Sequence, residues 1–414
     1  MKFLATITCL IFLVLSFSQE TIKLQQADEL FQKNNLQLLA SQFNVSNAKA
    51  QEIQSKIWEL PYLIAELNLI NPQNNSFFDI GQKGQKVAAI QQLIYLGGKK
   101  RKEVEFAKSN TCLAEMYFEQ LVKNLKLQLD QNFYALYYEN IKLKTLTNQI
   151  SKIEKLLGNY NMQATKGNVP LKDVVRLQSL LLNLKNDFNS LSLQVLALQR
   201  SLKLLTGTEK NYIPILDEVS SKKFEKLLFK KDSVYSIAIA NNLDLKIVKQ
   251  ITENYNIQLN WQKSLATPDL TVGLSYDQRG GAFGNQVNLT LGMPLQIKNK
   301  NKGNIKIAEN QLLVSKIDID IQQNELITQL QNSLILWEEY TNQLEEFEAK
   351  DFRDMEIVNK GVIENFERKN ISLIEFSDFM ESYHLSTIQI NEVKKNRILV
   401  ALEMNYLVNI PIFN

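Results

Sequence analysis

Two periods of apolar and polar positions divide this chain. Between residues 268 and 296 the period is two. Leu270, Val272, Leu274 and Tyr276 alternate with Thr271, Gly273, Ser275 and Asp277. After the turn-forming Arg279-Gly280-Gly281 cluster, Val287, Leu289, Leu291, Met293 and Leu295 alternate with Gln286, Asn288, Thr290 and Gly292. Successive strand residues point to opposite faces, so the pattern predicts strands at about 268–278 and 285–296, each with one apolar and one polar face. A less regular pair occupies about 62–70 and 87–96. There Leu63, Ala65, Leu67 and Leu69 alternate with Ile64, Glu66 and Asn68, but Gln91 and Gln92 stand side by side.

The rest of the chain reads as helix. A proline-free stretch at about 98–161 carries Leu143, Leu146, Ile150, Ile153, Leu157 and Tyr160, spaced 3, 4, 3, 4 and 3, which is a coiled-coil seam. Some 60 residues of helix would span roughly 90 Å, and most helices in globules have only ~11–12 residues. Such a helix must lie against other long helices to bury its seam. A second long helix is expected at about 302–364. A leading helix is expected in each half, at about 22–60 and 232–266, and return helices at about 169–206 and 371–408.

The two hairpins and their helices form one plan written twice. Asn34-Asn35-Leu36 recurs as Asn241-Asn242-Leu243, at an offset of 207 residues, and Lys56, Pro61 and Leu67 recur as Lys263, Pro268 and Leu274. The offset then falls to 201, where Val104 and Ala107 meet Ile305 and Ala308, and ends at 202, where Asn168 and Leu205 meet Asn370 and Leu407. A nearly constant spacing along the whole chain indicates duplication. The expected organisation is a leader at 1–18, a first repeat at 19–206, a linker at 207–231 around Pro214, and a second repeat at 232–414.

Composition supports long helices over loop-rich folds, with only 14 Gly and 7 Pro in 414 residues. The charge is almost balanced, 47 basic residues against 44 acidic, so no field suited to nucleic acid exists. Lys2, the apolar run Phe3 to Phe17, and small residues at Ser16 and Ser18 have the form of a signal peptide, with cleavage after Ser18. An exported chain then keeps one cysteine, Cys112, expected as a buried apolar residue of the long helix, and cannot form an intrachain disulfide. No later apolar run is long enough for a membrane helix, so entry into a bilayer would have to use strands. Each predicted strand has about the length that crosses a bilayer when tilted. Four strands cannot close a barrel, whereas three copies would supply twelve.

Residues that would carry catalysis are not arranged for it. No His-Glu-x-x-His, phosphate-cradling glycine loop or Gly-x-Ser-x-Gly element is present. His384 stands alone, a surface or packing residue, and the 7 Met show no paired spacing for a soft metal. Neither an enzyme, a cofactor nor a metal site is expected.

Several strings bear on family. Leu36 to Pro61 ends in a helix-to-strand proline, and Gln92-Leu93-Ile94-Tyr95-Leu96-Gly97-Gly98-Lys99-Lys100 leads from a strand into the long helix. Met293-Pro294-Leu295-Gln296-Ile297-Lys298-Asn299-Lys300-Asn301-Lys302-Gly303 is the most specific. With the duplicated plan, they make the chain resemble the TolC outer-membrane efflux family, nearest its CusC/CzcC heavy-metal branch, over nearly all of its length. The resemblance implies a mixed fold, a membrane β-barrel continued by a long α-helical coiled-coil barrel. It implies a homotrimer with a 12-stranded barrel in the outer membrane of a Gram-negative bacterium and helices extending into the periplasm. The implied partners are outer-membrane lipid, a periplasmic adaptor and an inner-membrane pump of the resistance–nodulation–division type. The channel itself would be a passive conduit.

Within that scheme the apolar strand positions 270–295 would face lipid. Lys99, Lys100, Arg101 and Lys102, with Lys298, Lys300 and Lys302, follow the two hairpins at one level and would meet lipid head groups. The far ends of the long helices would form a gated tip, with Lys166, Pro170, Asp173, Glu364, Glu367, Arg368 and Glu375 as candidates. For Asp173 and Glu375, in the first turns of the return helices, stabilisation of a helix start is the plainer reading. A non-pore periplasmic coiled-coil protein, structural or adaptor-like, is the alternative. It would need both hairpins to be soluble.

Overall fold

Helix dominates the described residues, which in a computed structural model are 20–217, 223–280, 282–295, 301–348 and 351–413. The leader, Lys298 and Lys300 lie outside them. The chain opens with β1 (Glu20–Ile22), α1 (Leu24–Asn34) and α2 (Leu36–Ser55). A hairpin follows, β2 (Tyr62–Leu67) and β5 (Gln85–Ile94), whose long connection carries a small ribbon of β3 (Ile70–Asn71) and β4 (Ser76–Phe77). Then come α3 (Lys99–Thr165), α4 (Leu171–Thr206) and β6 (Tyr212–Pro214). The second run has α5 (Lys231–Asn241), α6 (Leu243–Leu265), β7 (Leu270–Arg279), β8 (Phe283–Gly292), α7 (Lys302–Glu348), α8 (Asp351–Glu367) and α9 (Leu373–Val408).

Several boundaries differ from the sequence reading for physical reasons. The helices expected at 22–60 and 232–266 are each broken in two, at the repeated Asn-Asn-Leu string. Asn35 ends α1, and its amide donates to the Leu205 carbonyl at 3.0 Å. Asn242 caps α6, its Oδ1 accepting from the Leu245 N–H at 2.8 Å. The last expected strand stops at Gly292, because Pro294 has no N–H to continue a ladder. Met293 and Leu295 therefore lie beyond β8. The expected linker holds β6, which pairs in parallel with β1. A three-residue pairing across the sequence leaves no pattern in composition.

The described chain forms two compact units, each drawing on both runs of the sequence. The sheet unit comprises Gln37–Val122 and Ile239–Thr328. Its sheet is antiparallel, in the order β2-β5-β7-β8. At its base Lys99 Nζ lies 2.7 Å from Asp269 Oδ1, and the Phe106 and Trp261 rings stack at 5.5 Å. Asn254 donates to Ser109 Oγ at 3.1 Å and to Asn110 Oδ1 at 2.8 Å, which satisfies the polar atoms where α3 meets α6. Gly97 turns the chain from β5 toward α3 at φ +67°, a position where a Cβ would come within 2.7 Å of Thr267 Oγ1.

The bundle unit comprises the remaining residues, Lys123–Ala238 and Gln329–Asn414 with the segment before Gln37. On α4, Val174, Leu177, Leu181, Leu184, Phe188, Leu191, Val195, Leu198, Leu202 and Leu205 alternate at spacings of three and four. Leu177, Leu184 and Leu191 of that seam pack against Leu146 and Ile153 of α3 and Phe366, Phe376 and Met380 of α8 and α9. The seam read from the sequence on α3 is thus buried against α4, as a 3.5-residue period requires. A second apolar cluster joins Tyr134, Phe224, Trp337 and Phe413, with the Trp337 indole donating to the Phe224 carbonyl at 3.1 Å.

Candidate functional site

The register of the sheet decides which side chains share a face. Leu63 stands opposite Ile90, Ile90 opposite Leu274, and Leu274 opposite Leu289. One row of aliphatic side chains therefore crosses all four strands. The neighbouring rows agree: Ala65, Ala88, Tyr276 and Val287 in one, Val272 and Leu291 in another. The opposite face carries Gln91, Gly273 and Thr290 in one row and Ala89, Ser275 and Asn288 in the next. Gln91 and Gln92, adjacent in sequence, part company here. Gln91 lies on the polar face. Gln92 falls on the apolar face, where its amide donates to the carbonyls of Glu59 and Leu93, both at 2.9 Å.

Among the described residues nothing covers the apolar face. Leu63 is 75% exposed, Val287 71%, Leu289 65% and Leu291 64%, with Leu67, Ile90 and Leu274 also exposed. Leu270, Val272 and Tyr276 are half-buried by their neighbours. Full burial of a large aliphatic side chain is worth about 1.5–3 kcal/mol, so seven of them represent on the order of 10–20 kcal/mol, comparable with the whole stability of a domain. A contiguous patch of this kind marks contact with lipid or another surface. Among the described residues the sheet also has two open edges, since there β2 pairs only with β5 and β8 only with β7. Unpaired edge groups cannot be left in a hydrocarbon environment.

Below the strands lie cations. Lys99 is buried in its pair with Asp269 and is not available to a surface. Lys100 Nζ pairs with Glu103 at 3.0 Å and sits 5.8 Å from the Tyr95 ring centroid. Arg101 is exposed, Lys102 donates to the Asn260 carbonyl at 3.2 Å, and Lys302 is exposed at the start of α7.

The candidate tip belongs to the bundle unit. Lys166 is exposed in the turn after α3, where Gly167 takes φ +75°, and Pro170 precedes α4 with an extended backbone. Asp173 sits in the first turn of α4. Burial, helped by the Asp173 charge, pushes the Tyr160 phenol up. Tyr160, Phe366 and Phe376 stack in series, with centroids 6.0 and 4.2 Å apart, and join α3, α8 and α9. Beside this stack is a cavity of about 590 Å³ lined by Lys152, Asn168, Glu367 and Lys369 among others. Glu364 and Arg368 are exposed nearby in sequence, at the end of α8. Glu375 closes a capping box: it accepts from the Ser372 N–H at 2.8 Å, while Ser372 Oγ accepts from the Glu375 N–H at 3.2 Å. The Ser372 N–H and hydroxyl hold the Glu375 carboxyl below its usual value. Arg176, not singled out in the sequence, ties α4 to α9 through Ser377 Oγ at 2.8 Å and Asp378 Oδ1 at 2.9 Å.

No family model and no curated protein matches the chain. Solved structures do. A CusC structure, described in terms of folding and transmembrane channel formation, aligns with a TM-score of 0.75 at 13% identity, over 94% of this chain and 93% of that one. The Campylobacter jejuni CmeC outer membrane channel aligns with a TM-score of 0.74 at 12% identity, over 93% and 85%. The Vibrio cholerae outer membrane protein VceC aligns with a TM-score of 0.70 at 12% identity, over 93% and 95%.

Proposed function

The chain has the fold of the TolC-type outer-membrane efflux channels, and from that premise we propose that it is the outer-membrane channel subunit of a tripartite efflux system, a passive conduit from the periplasm or an inner-membrane pump to the exterior. One observation carries the reading: an apolar row crosses four strands, faces outward and ends at two unpaired edges. A single chain leaves both defects open. Three copies, pairing β2 of one with β8 of the next, would close twelve strands with the aliphatic face toward lipid and the Gln, Ser, Asn and Thr face toward a wet lumen. A periplasmic adaptor and a pump of the resistance–nodulation–division type would then meet the bundle unit, with Lys166, Pro170, Asp173, Glu364, Glu367, Arg368 and Glu375 as gate or adaptor contacts.

The test is biochemical. The expressed chain should sediment with outer membranes, require detergent for release, run as a trimer by light scattering of the detergent complex, and conduct ions in planar bilayers. Release by osmotic shock as a monomer without detergent would instead favour the non-pore coiled-coil reading.

A further inference from the structure

A cavity of about 760 Å³ opens on the sheet unit where β2 and β5 meet their helices, lined by Lys56, Trp58, Lys100, Arg101, Glu105 and Lys108 with Val104. Lys100, Val104 and Lys108 repeat every four residues on α3, so they share a helix face. Four cations and one carboxylate line the space. Lys56 is held by Glu52 at 2.9 Å and Lys100 by Glu103 at 3.0 Å, whereas among the described residues Arg101 and Lys108 form no ion pair.

Both legs of the hairpin arrange their side chains in one order. Going up from α2 the order is cation, aromatic, aliphatic: Lys56, Trp58, then Leu60 and Leu63, both more than 70% exposed. Coming down from β5 the same order is met in reverse: Ile90 and Ile94, then Tyr95, then Lys100 and Arg101. The Trp58 and Tyr95 rings meet at 5.8 Å, and the Tyr95 hydroxyl donates to Glu59 Oε1 at 3.1 Å. Tryptophan and tyrosine favour the boundary between hydrocarbon and water, and each lysine or arginine there attracts anionic lipid. Among the described residues, the corresponding corner of the second run is built differently. Counting by the repeat offsets, Leu265 replaces Trp58, Asn301 replaces Lys100 and Glu309 replaces Lys108. Asn301 spends its amide on Gln262 and Glu309 pairs with Lys306.

We propose that this cavity binds the phosphate of an anionic glycerophospholipid, one per chain, with Arg101 and Lys108 on the phosphate, Trp58 and Tyr95 at the glycerol level, and the acyl chains along Leu60, Leu63 and Ile94. The proposal rests on the lipid-facing reading of the sheet and adds to it a defined headgroup and a defined corner. The source is a bilayer lipid and not free phosphate, because Trp58, which lines the cavity, is followed along the chain by the exposed Leu60 and Leu63.

Native mass spectrometry of the full chain, released from phosphatidylglycerol–phosphatidylethanolamine mixtures in mild detergent, tests it. The wild type should retain phosphatidylglycerol over phosphatidylethanolamine. The Arg101→Gln/Lys108→Gln variant should lose that preference about tenfold, and Lys263→Gln/Lys302→Gln at the other corner should keep it. Inorganic phosphate at millimolar concentration should not displace the lipid. Equal retention of the two lipids by the wild type, or an unchanged preference in the Arg101/Lys108 variant, overturns the proposal, and displacement by inorganic phosphate shows a free-anion site in its place. A chain that is detergent-dependent yet shows no preference loses only this inference. A chain soluble without detergent loses the channel reading as well.

Discussion

Glu139 and Lys142 on α3 are almost fully buried, and they are held in a closed square of charges with Glu392 and Lys395 on α9. Lys395 Nζ lies 2.8 Å from Glu139 and 2.6 Å from Glu392; Lys142 Nζ lies 2.7 Å from Glu139 and 2.8 Å from Glu392. Alternation of sign lets each charge meet two opposite ones, which offsets part of the desolvation cost. Lys142→Met removes one corner and leaves the buried Glu139 short of a partner. The expected loss is about 3–5 kcal/mol in chemical denaturation. Glu392 gives this square a pH dependence. Burial pushes its carboxyl up, but hydrogen bonds from Lys142 and Lys395 outweigh that and hold it below its usual value. Between the folded and unfolded values the unfolded chain binds more protons, so stability rises with pH there. The contribution is present above about pH 4.5 and is lost as pH falls through the folded value. Melting temperatures followed from pH 6 to pH 3 should fall less steeply in Glu392→Gln than in the wild type; parallel curves would remove Glu392 from the account. Nearby, His384 is buried between Gln149 Oε1 at 3.1 Å and Asp187 Oδ2 at 3.0 Å, a polar tie among α3, α4 and α9. The sequence placed this residue only as surface or packing. It put Cys112 inside, yet Cys112 is exposed. Both cases share a cause: period tells which residues share a helix face, and not which face another helix covers.

At the scale of elements, helix ends separate two effects that a sequence merges. Gly207 follows α4 at φ +62° and Gly167 follows α3 at φ +75°. Both adopt the left-handed region that a Cβ disfavours by roughly 1–2 kcal/mol. They differ in surroundings. A Cβ on Gly167 meets open space, whereas one on Gly207 would lie 2.6 Å from the Asn34 carbonyl oxygen and 2.7 Å from the Asn34 Cβ. Gly167→Ala should therefore cost about 1 kcal/mol and Gly207→Ala clearly more, as backbone must shift to admit the methyl. Equal losses in thermal denaturation would contradict the contact seen at Asn34. The sequence placed Gly207 at the start of the linker and Gly167 between the tip candidates Lys166 and Pro170. The identity of their neighbours was not legible, because Gly207 meets a residue 173 positions earlier. The Asn-Asn-Leu string has the same character. It was legible as a repeat, and its role as a helix break depends on a carbonyl of α4 for Asn35 and on a local cap for Asn242.

For the molecule as a whole, the alternation at 270–291 was the most legible feature, and the paired register extends it to β2 and β5, where the sequence was ambiguous. What the alternation alone left open was whether the apolar face meets lipid or belongs to a soluble hairpin. Adjacent residues of β8 separate these outcomes. Leu289 lies on the aliphatic face opposite Leu274; Asn288 lies on the other face opposite Ser275. In a lipid-facing sheet, an arginine at the bilayer midplane costs about 2–4 kcal/mol, and one on the lumen face costs little because water reaches it. Leu289→Arg should accordingly reduce the fraction of chain recovered as a detergent-resistant oligomer in the outer membrane. Asn288→Arg should insert normally and change the ion selectivity of the conductance, since it adds a cation to the pore wall. A soluble half-buried hairpin predicts another outcome: neither variant changes fractionation, and Leu289→Arg, already surrounded by water, is tolerated as well as Asn288→Arg. Opposite behaviour of two neighbouring positions follows from strand geometry only if one face is sealed from water.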